Sequence, residues 1–196
     1  MRSQLILFAS AALVSAGDVW GEKCKKAGVD FQPKNIDLNQ YAGTWYEIQR
    51  DVSAWYEFTA TCVTGKYAIS NWDSNVYDAK FRGFYWMMWW GYQNMDGWLK
   101  FSSADRSFKL GTSKESWFES SQYVLDVDYS SHSIVYKCTD TWFGKTEGLH
   151  VWSRENKPSD EKFEALRALI KEQPVLAHYN FQRDAVKTDH TNCIYN

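Results

Sequence analysis

Beyond its first 16 residues the chain lacks any apolar run of membrane-spanning length; the stretch Phe84–Trp90 is only long enough for a strand. It lacks a basic stripe or a block of like charge, and its net charge is only −2, which argues against a nucleic-acid partner. There is no Cys-x-x-Cys pair and no His-rich cluster, so no zinc site is expected. No G-x-S-x-G elbow, G-x-G-x-x-G turn or phosphate-binding loop occurs, which removes the common hydrolase and nucleotide chemistries. Asn-x-Ser/Thr is also missing, so N-glycosylation is not expected.

What is present begins with an export signal. Arg2, the apolar run Leu5–Val14 and the small residues Val14-Ser15-Ala16 read as a signal peptide over residues 1–16, cut after Ala16 or Gly17. Residues 17–196 then form a single domain. An exported chain with four cysteines, Cys24, Cys62, Cys138 and Cys193, suggests two disulfides, and the residues alone allow three pairings.

From Tyr41 to Arg154, short runs of aromatic and β-branched residues alternate with polar turn residues. The pattern predicts strands at 43–50, 62–70, 75–81, 83–92, 98–102, 107–112, 122–128, 134–140 and 147–154. Links such as Trp72-Asp73-Ser74-Asn75 and Asn94-Met95-Asp96-Gly97 read as hairpin turns. These eight or nine strands joined by consecutive hairpins indicate an all-β fold, an up-and-down barrel or meander. After it, Ser159 caps a helix opened by Asp160 and Glu161, with Phe163, Leu166, Leu169 and Ile170 on one face and Pro174 at its end. One such helix must pack outside the barrel.

Three segments together resemble the lipocalin family: Gly43-Thr44-Trp45-Tyr46 as its G-x-W motif, Asp128-Tyr129 as its late turn, and Arg154 closing the last long strand. The match is to the branch containing the crustacyanins, the bilin-binding proteins and apolipoprotein D. The resemblance implies an eight-stranded antiparallel up-and-down β-barrel, with Gly43, Trp45 and Arg154 closing one end of it. An indole fills the narrow end, and a guanidinium across it gains roughly 0.5–2 kcal/mol of cation–π energy. It also implies the pairings Cys24–Cys138 and Cys62–Cys193.

Aromatic residues make up 17% of the chain, and Phe84–Trp90 is apolar throughout, so a strand there needs both faces covered. Its outer face packs under the helix or a loop, forms an interface for homo- or hetero-oligomers, or holds ligand between protomers. Candidate ligand contacts are Tyr46, Ile48, Tyr67, Phe84, Trp86, Met88, Trp90, Trp98, Phe101, Trp117 and Tyr123. Aromatic and Met-rich walls suit flat conjugated molecules. The expected function is that of a secreted, extracellular carrier of a hydrophobic pigment, a carotenoid or a linear tetrapyrrole such as biliverdin. A colourless lipid, retinoid or sterol is the alternative cargo. No metal or catalytic cofactor is expected, nor stable membrane insertion. His150 reads as an ordinary strand residue. A thiol-dependent isomerase would need Cys62 free, and Cys193 offers it a partner.

Overall fold

The computed structural model describes residues 18–51, 59–85, 91–111, 120–180 and 185–195. Its strands are β1 (Asp18–Trp20), β2 (Gly43–Asp51), β3 (Thr61–Ile69), β4 (Val76–Tyr85), β5 (Gly91–Ser102), β6 (Ser107–Gly111), β7 (Ser120–Asp128), β8 (His132–Asp140), β9 (Gly144–Ser153) and β10 (Ala185–Lys187). From β2 to β9 each strand pairs antiparallel with the next, and β9 returns to β2, closing an eight-stranded barrel. β1 extends the β9 edge beyond β2, and β10 adds to the far half of β2.

The turns at one end are short and polar because Asp side chains build them. Asp73 Oδ1 accepts from the Asn75 amide at 2.8 Å, and Asp128 Oδ1 accepts from the Ser130 amide at 2.9 Å. Asp105 Oδ1 does the same for the Ser107 hydroxyl at 2.8 Å. At the opposite rim β8 and β9 are joined through Trp142 and Phe143, which are 99% and 70% exposed. Residues 1–17, where the export signal is expected, and most of the remaining rim connections lie outside the described residues.

One sequence expectation needs correction. The expected strand 83–92 is divided between two: Gly83, Phe84 and Tyr85 end β4, Gly91 and Tyr92 begin β5, Tyr85 faces Gly91 across the ladder, and residues 86–90 lie outside the described ones. The run is thus shared between two antiparallel strands, so the need to cover two faces of one aromatic strand disappears. The expected turn Asn94–Gly97 lies instead within β5, where Met95 opposes Phe81 and Asp96 opposes Lys80. Polar composition there marks an exposed strand face, not a reversal.

Two cores follow from strand alternation. The inner one gathers Tyr41, Trp45, Tyr67, Tyr77, Leu99, Phe101, Phe108, Val124, Val135 and Trp152. The outer one packs Ile48, Leu125, Ile134, Tyr136, Leu149 and Val151 against helix α2 (Asp160–Lys171). Ser159 caps α2 by accepting from the Lys162 amide, and Phe163, Leu166 and Ile170 bury the apolar stripe. Each contributes roughly 1.5–3 kcal/mol by leaving water. Phe31 of the N-terminal segment completes the outer core edge-on to Tyr123 and Tyr136, at 5.3 and 5.7 Å.

Candidate functional site

The end of the barrel near Gly43 is sealed. Asp37 caps a one-turn helix, α1 (Leu38–Tyr41), which sets Tyr41 into the barrel and aims its last carbonyls at Arg154. The Trp45 side chain is fully buried, and its indole N–H donates to the Tyr41 carbonyl at 2.8 Å. The Arg154 guanidinium lies 3.7 Å from the Trp45 ring centre. It donates to the carbonyls of Tyr129 at 2.9 Å, Thr44 at 2.8 Å, Gln40 at 3.0 Å and Ala42 at 2.9 Å. Gly43 has φ +101°, and a Cβ there would stand 3.2 Å from Arg154 Nη1, so both backbone and space ask for glycine. The Tyr129 hydroxyl accepts from the Asp37 amide at 2.9 Å, tying the turn to the α1 cap.

Above the seal lies an aromatic floor. Tyr41 packs on Trp45 at 5.1 Å, on Tyr67 at 5.9 Å and on Phe108 at 5.7 Å, while Phe101 meets Phe108 at 5.1 Å. Burial pushes the Tyr41 phenol up to about 12, against the opposing hydrogen bond with Ser133, and also raises Tyr67 and Tyr77 well above the ordinary range. These phenols stay neutral at physiological pH.

Of the candidate ligand contacts, Tyr67 and Phe101 belong to this inner core. Five others do not. Tyr46 lies edge-on to His190 and Tyr195 of the tail, and Ile48 and Tyr123 join the outer layer. Phe84 pairs with Tyr92 at 5.3 Å on the outer face, and Trp98 lies flat across Gly111 there. The reason is common to all: Trp45, Phe81, Leu99 and Val124 point inward, so residues one or three positions away point outward. Trp86, Met88, Trp90 and Trp117 lie outside the described residues. The sequence reading missed Tyr41, Tyr77, Phe108 and Trp152. Alternation counted outward from Trp45 and Arg154 would have found Trp152.

It also missed a set of inward charges nearer the open rim. Glu47, Arg50 and His150 share the inner face, since Glu47 opposes Trp152 and Arg50 opposes His150. Glu47 Oε1 lies 3.2 Å from Arg50 Nη1 and accepts from the Thr188 hydroxyl at 3.0 Å; Oε2 meets His150 Nδ1 at 2.7 Å. Burial alone would raise the Glu47 pKa, but the Arg50 charge and the bonds from His150 and Thr188 outweigh it and hold the carboxylate ionised. The Arg50 side chain is 1% exposed. It donates to the Ala60 carbonyl, yet its Nε and Nη1 make no hydrogen bond. A buried donor left so costs about 1–3 kcal/mol.

Outside the barrel the two disulfides are Cys24–Cys138 and Cys62–Cys193, with Cα separations of 5.9 and 5.4 Å. A cleft of about 500 Å³ runs between the start of α2 and the tail, edged by Ile48, Phe163, Lys187 and His190.

No family model matches the chain. Apolipoprotein D of Cavia porcellus is 29% identical over 123 residues, 61% of this chain, and the match spans 60% of that protein's length. Among solved structures, lobster apocrustacyanin A1 superposes with a TM-score of 0.63 at 21% identity, over 83% of this chain and 89% of that one. Insecticyanin from the tobacco hornworm Manduca sexta gives 0.64 at 16% identity, over 87% and 88%.

Proposed function

We propose that the chain is a lipocalin and a secreted, single-domain carrier of a hydrophobic small molecule held within the barrel. One observation carries this reading: the barrel is sealed at the Trp45 end, while its inner face near the other rim carries buried charge that a hydrocarbon plug would not need. Disulfides fit an extracellular chain. The aromatic floor favours a flat conjugated cargo, a carotenoid or linear tetrapyrrole, over a saturated lipid. Tyr67 and Phe101 are the contacts we retain from the sequence-based set. A carrier also fits better than an isomerase, because Cys62 is bonded to Cys193 and is no nucleophile.

The test is extraction of protein purified from its natural source. A visible absorption band lost on solvent treatment, with a conjugated compound in the extract by mass spectrometry, is the expected result. A colourless extract holding a lipid replaces the pigment with the alternative cargo. Natural protein with nothing hydrophobic to extract, and no uptake of added ligands, ends the carrier reading.

A further inference from the structure

Trp142 is the most exposed large apolar side chain among the described residues, at 99%, and Phe143 beside it is 70% exposed. The pair forms the tip of the β8–β9 hairpin, which the Thr141 amide closes by donating to the Gly144 carbonyl at 2.7 Å. This tip is braced from several sides. β1 pairs with its base, Trp20 opposite Gly144, and the Gly21 amide donates to the Phe143 carbonyl at 2.8 Å. The Cys24 amide donates to Asp140 Oδ1 at 2.9 Å, and Cys24–Cys138 ties the same segment to β8. The charges at the base of the hairpin are engaged below the tip. Asp140 takes the Cys24 amide, and the buried Lys145 sits between Glu22 at 3.1 Å and Glu147 at 2.9 Å. Lys23 Nζ donates to the Thr141 carbonyl at 3.4 Å, so an ammonium stands one residue behind the indole. Thr141, Trp142, Phe143 and Gly144 carry no charge. The fold therefore holds two aromatic side chains out in water on a stiff support and gains little burial from them.

We propose that the Trp142–Phe143 tip docks the protein reversibly on a lipid surface, a site that goes beyond the carrier reading. Three observations favour lipid over a protein partner. Two aromatic side chains offer about 400 Å² at most, half of the roughly 800 Å² that each side of a stable protein interface buries. A lipid surface asks for no matching shape, and an indole with a lysine just behind it suits the boundary between acyl chains and headgroups. The tip also stands on the rim opposite the Trp45 seal, so docking brings the mouth of the barrel to the phase in which a hydrophobic cargo dissolves. Contact through one hairpin tip is peripheral and crosses no bilayer.

The experiment is flotation of the secreted, disulfide-intact protein with phosphatidylcholine vesicles, scored against Trp142→Ser. The exposed indole packs on almost nothing, so this variant keeps the fold, which circular dichroism verifies. The wild type floats with the vesicles, and Trp142→Ser lowers the bound fraction about fivefold or more. Brominated phosphatidylcholine quenches the tryptophan emission of the wild type more than that of the variant, because the residue removed is the one in lipid. A wild type that stays out of the lipid fraction overturns the proposal, as does a Trp142→Ser variant that floats equally well. A Trp142-dependent dimer in ultracentrifugation without vesicle binding also overturns it and assigns the tip to a second copy of the chain. Flotation that depends on Trp142, in a protein that takes up no added hydrophobic ligand, upholds the docking tip while removing the carrier reading.

Discussion

At the scale of single residues, Arg154 shows how one side chain can close a barrel. Its four short hydrogen bonds run to carbonyls of α1, the start of β2 and the turn before β8, and its flat face covers Trp45. Lysine keeps the charge but has neither the planar face nor the fork of donors. Arg154→Lys should therefore lower stability by about 2–4 kcal/mol, since several charge-assisted bonds to part-buried carbonyls go unmade. Urea unfolding checks this, and a loss below about 0.5 kcal/mol, the size of an ordinary surface change, would show the seal to be held by packing alone. Gly43 belongs to the same device, because any side chain there must displace the guanidinium.

At the scale of elements, the tail depends on long-range bonds more than on its own residues. β10 is three residues long. It is extended by the Thr188 amide donating to the Ile48 carbonyl at 3.0 Å and the Cys62 amide donating to the Asp189 carbonyl at 2.8 Å. Cys62–Cys193 closes this arrangement across 131 residues. Replacing both cysteines with serine should cost up to about 5 kcal/mol on the chain-entropy model. Hydrogen exchange should then rise over residues 185–195 and stay slow in β7 and β8. Unchanged exchange in the tail would mean that β10 pairing and His190 suffice to hold it. α2 stands in contrast: its caps and stripe are local, and it was legible in the sequence down to Ser159.

At the scale of the whole molecule, stability against pH should fall in two stages on the acid side. Burial lowers the His190 pKa below 6.5, against the opposing hydrogen bond to the Glu47 carbonyl and the charges of Glu47 and Asp189. The unfolded chain thus takes the proton first, so His190 contributes fully above about pH 6.5 and its contribution is lost as pH falls below that. The Glu47 carboxylate is held below its ordinary 4.5, and Asp126, near Lys34 and His132, below 3.8. Both contribute above those ordinary values and lose their contribution as pH falls through the folded ones. Urea midpoints followed from about pH 8 to about pH 3 should show both limbs. His190→Gln should flatten the upper limb and spare the lower. A wild-type profile level down to about pH 5 would refute the His190 account.

Local rules determined much of this protein. Alternation and polar turns made the barrel legible, helical spacing and caps made α2 legible, and three short motifs marked the Trp45–Arg154 seal, since each depends on neighbours within a few residues. Tertiary structure decided the rest. An unbroken aromatic run carries no period, so only the β4–β5 ladder revealed that two strands share it. Which of two adjacent side chains lines the barrel depends on register, and register is set by partners far along the chain; hence Tyr46 and Ile48 face out while Tyr41 and Phe108 face in. The residues alone left three cysteine pairings open, because a disulfide needs proximity that composition does not encode. The inward charges were hidden for the same reason: Glu47, Arg50 and His150 look like ordinary surface residues until β9 closes onto β2 and brings them together.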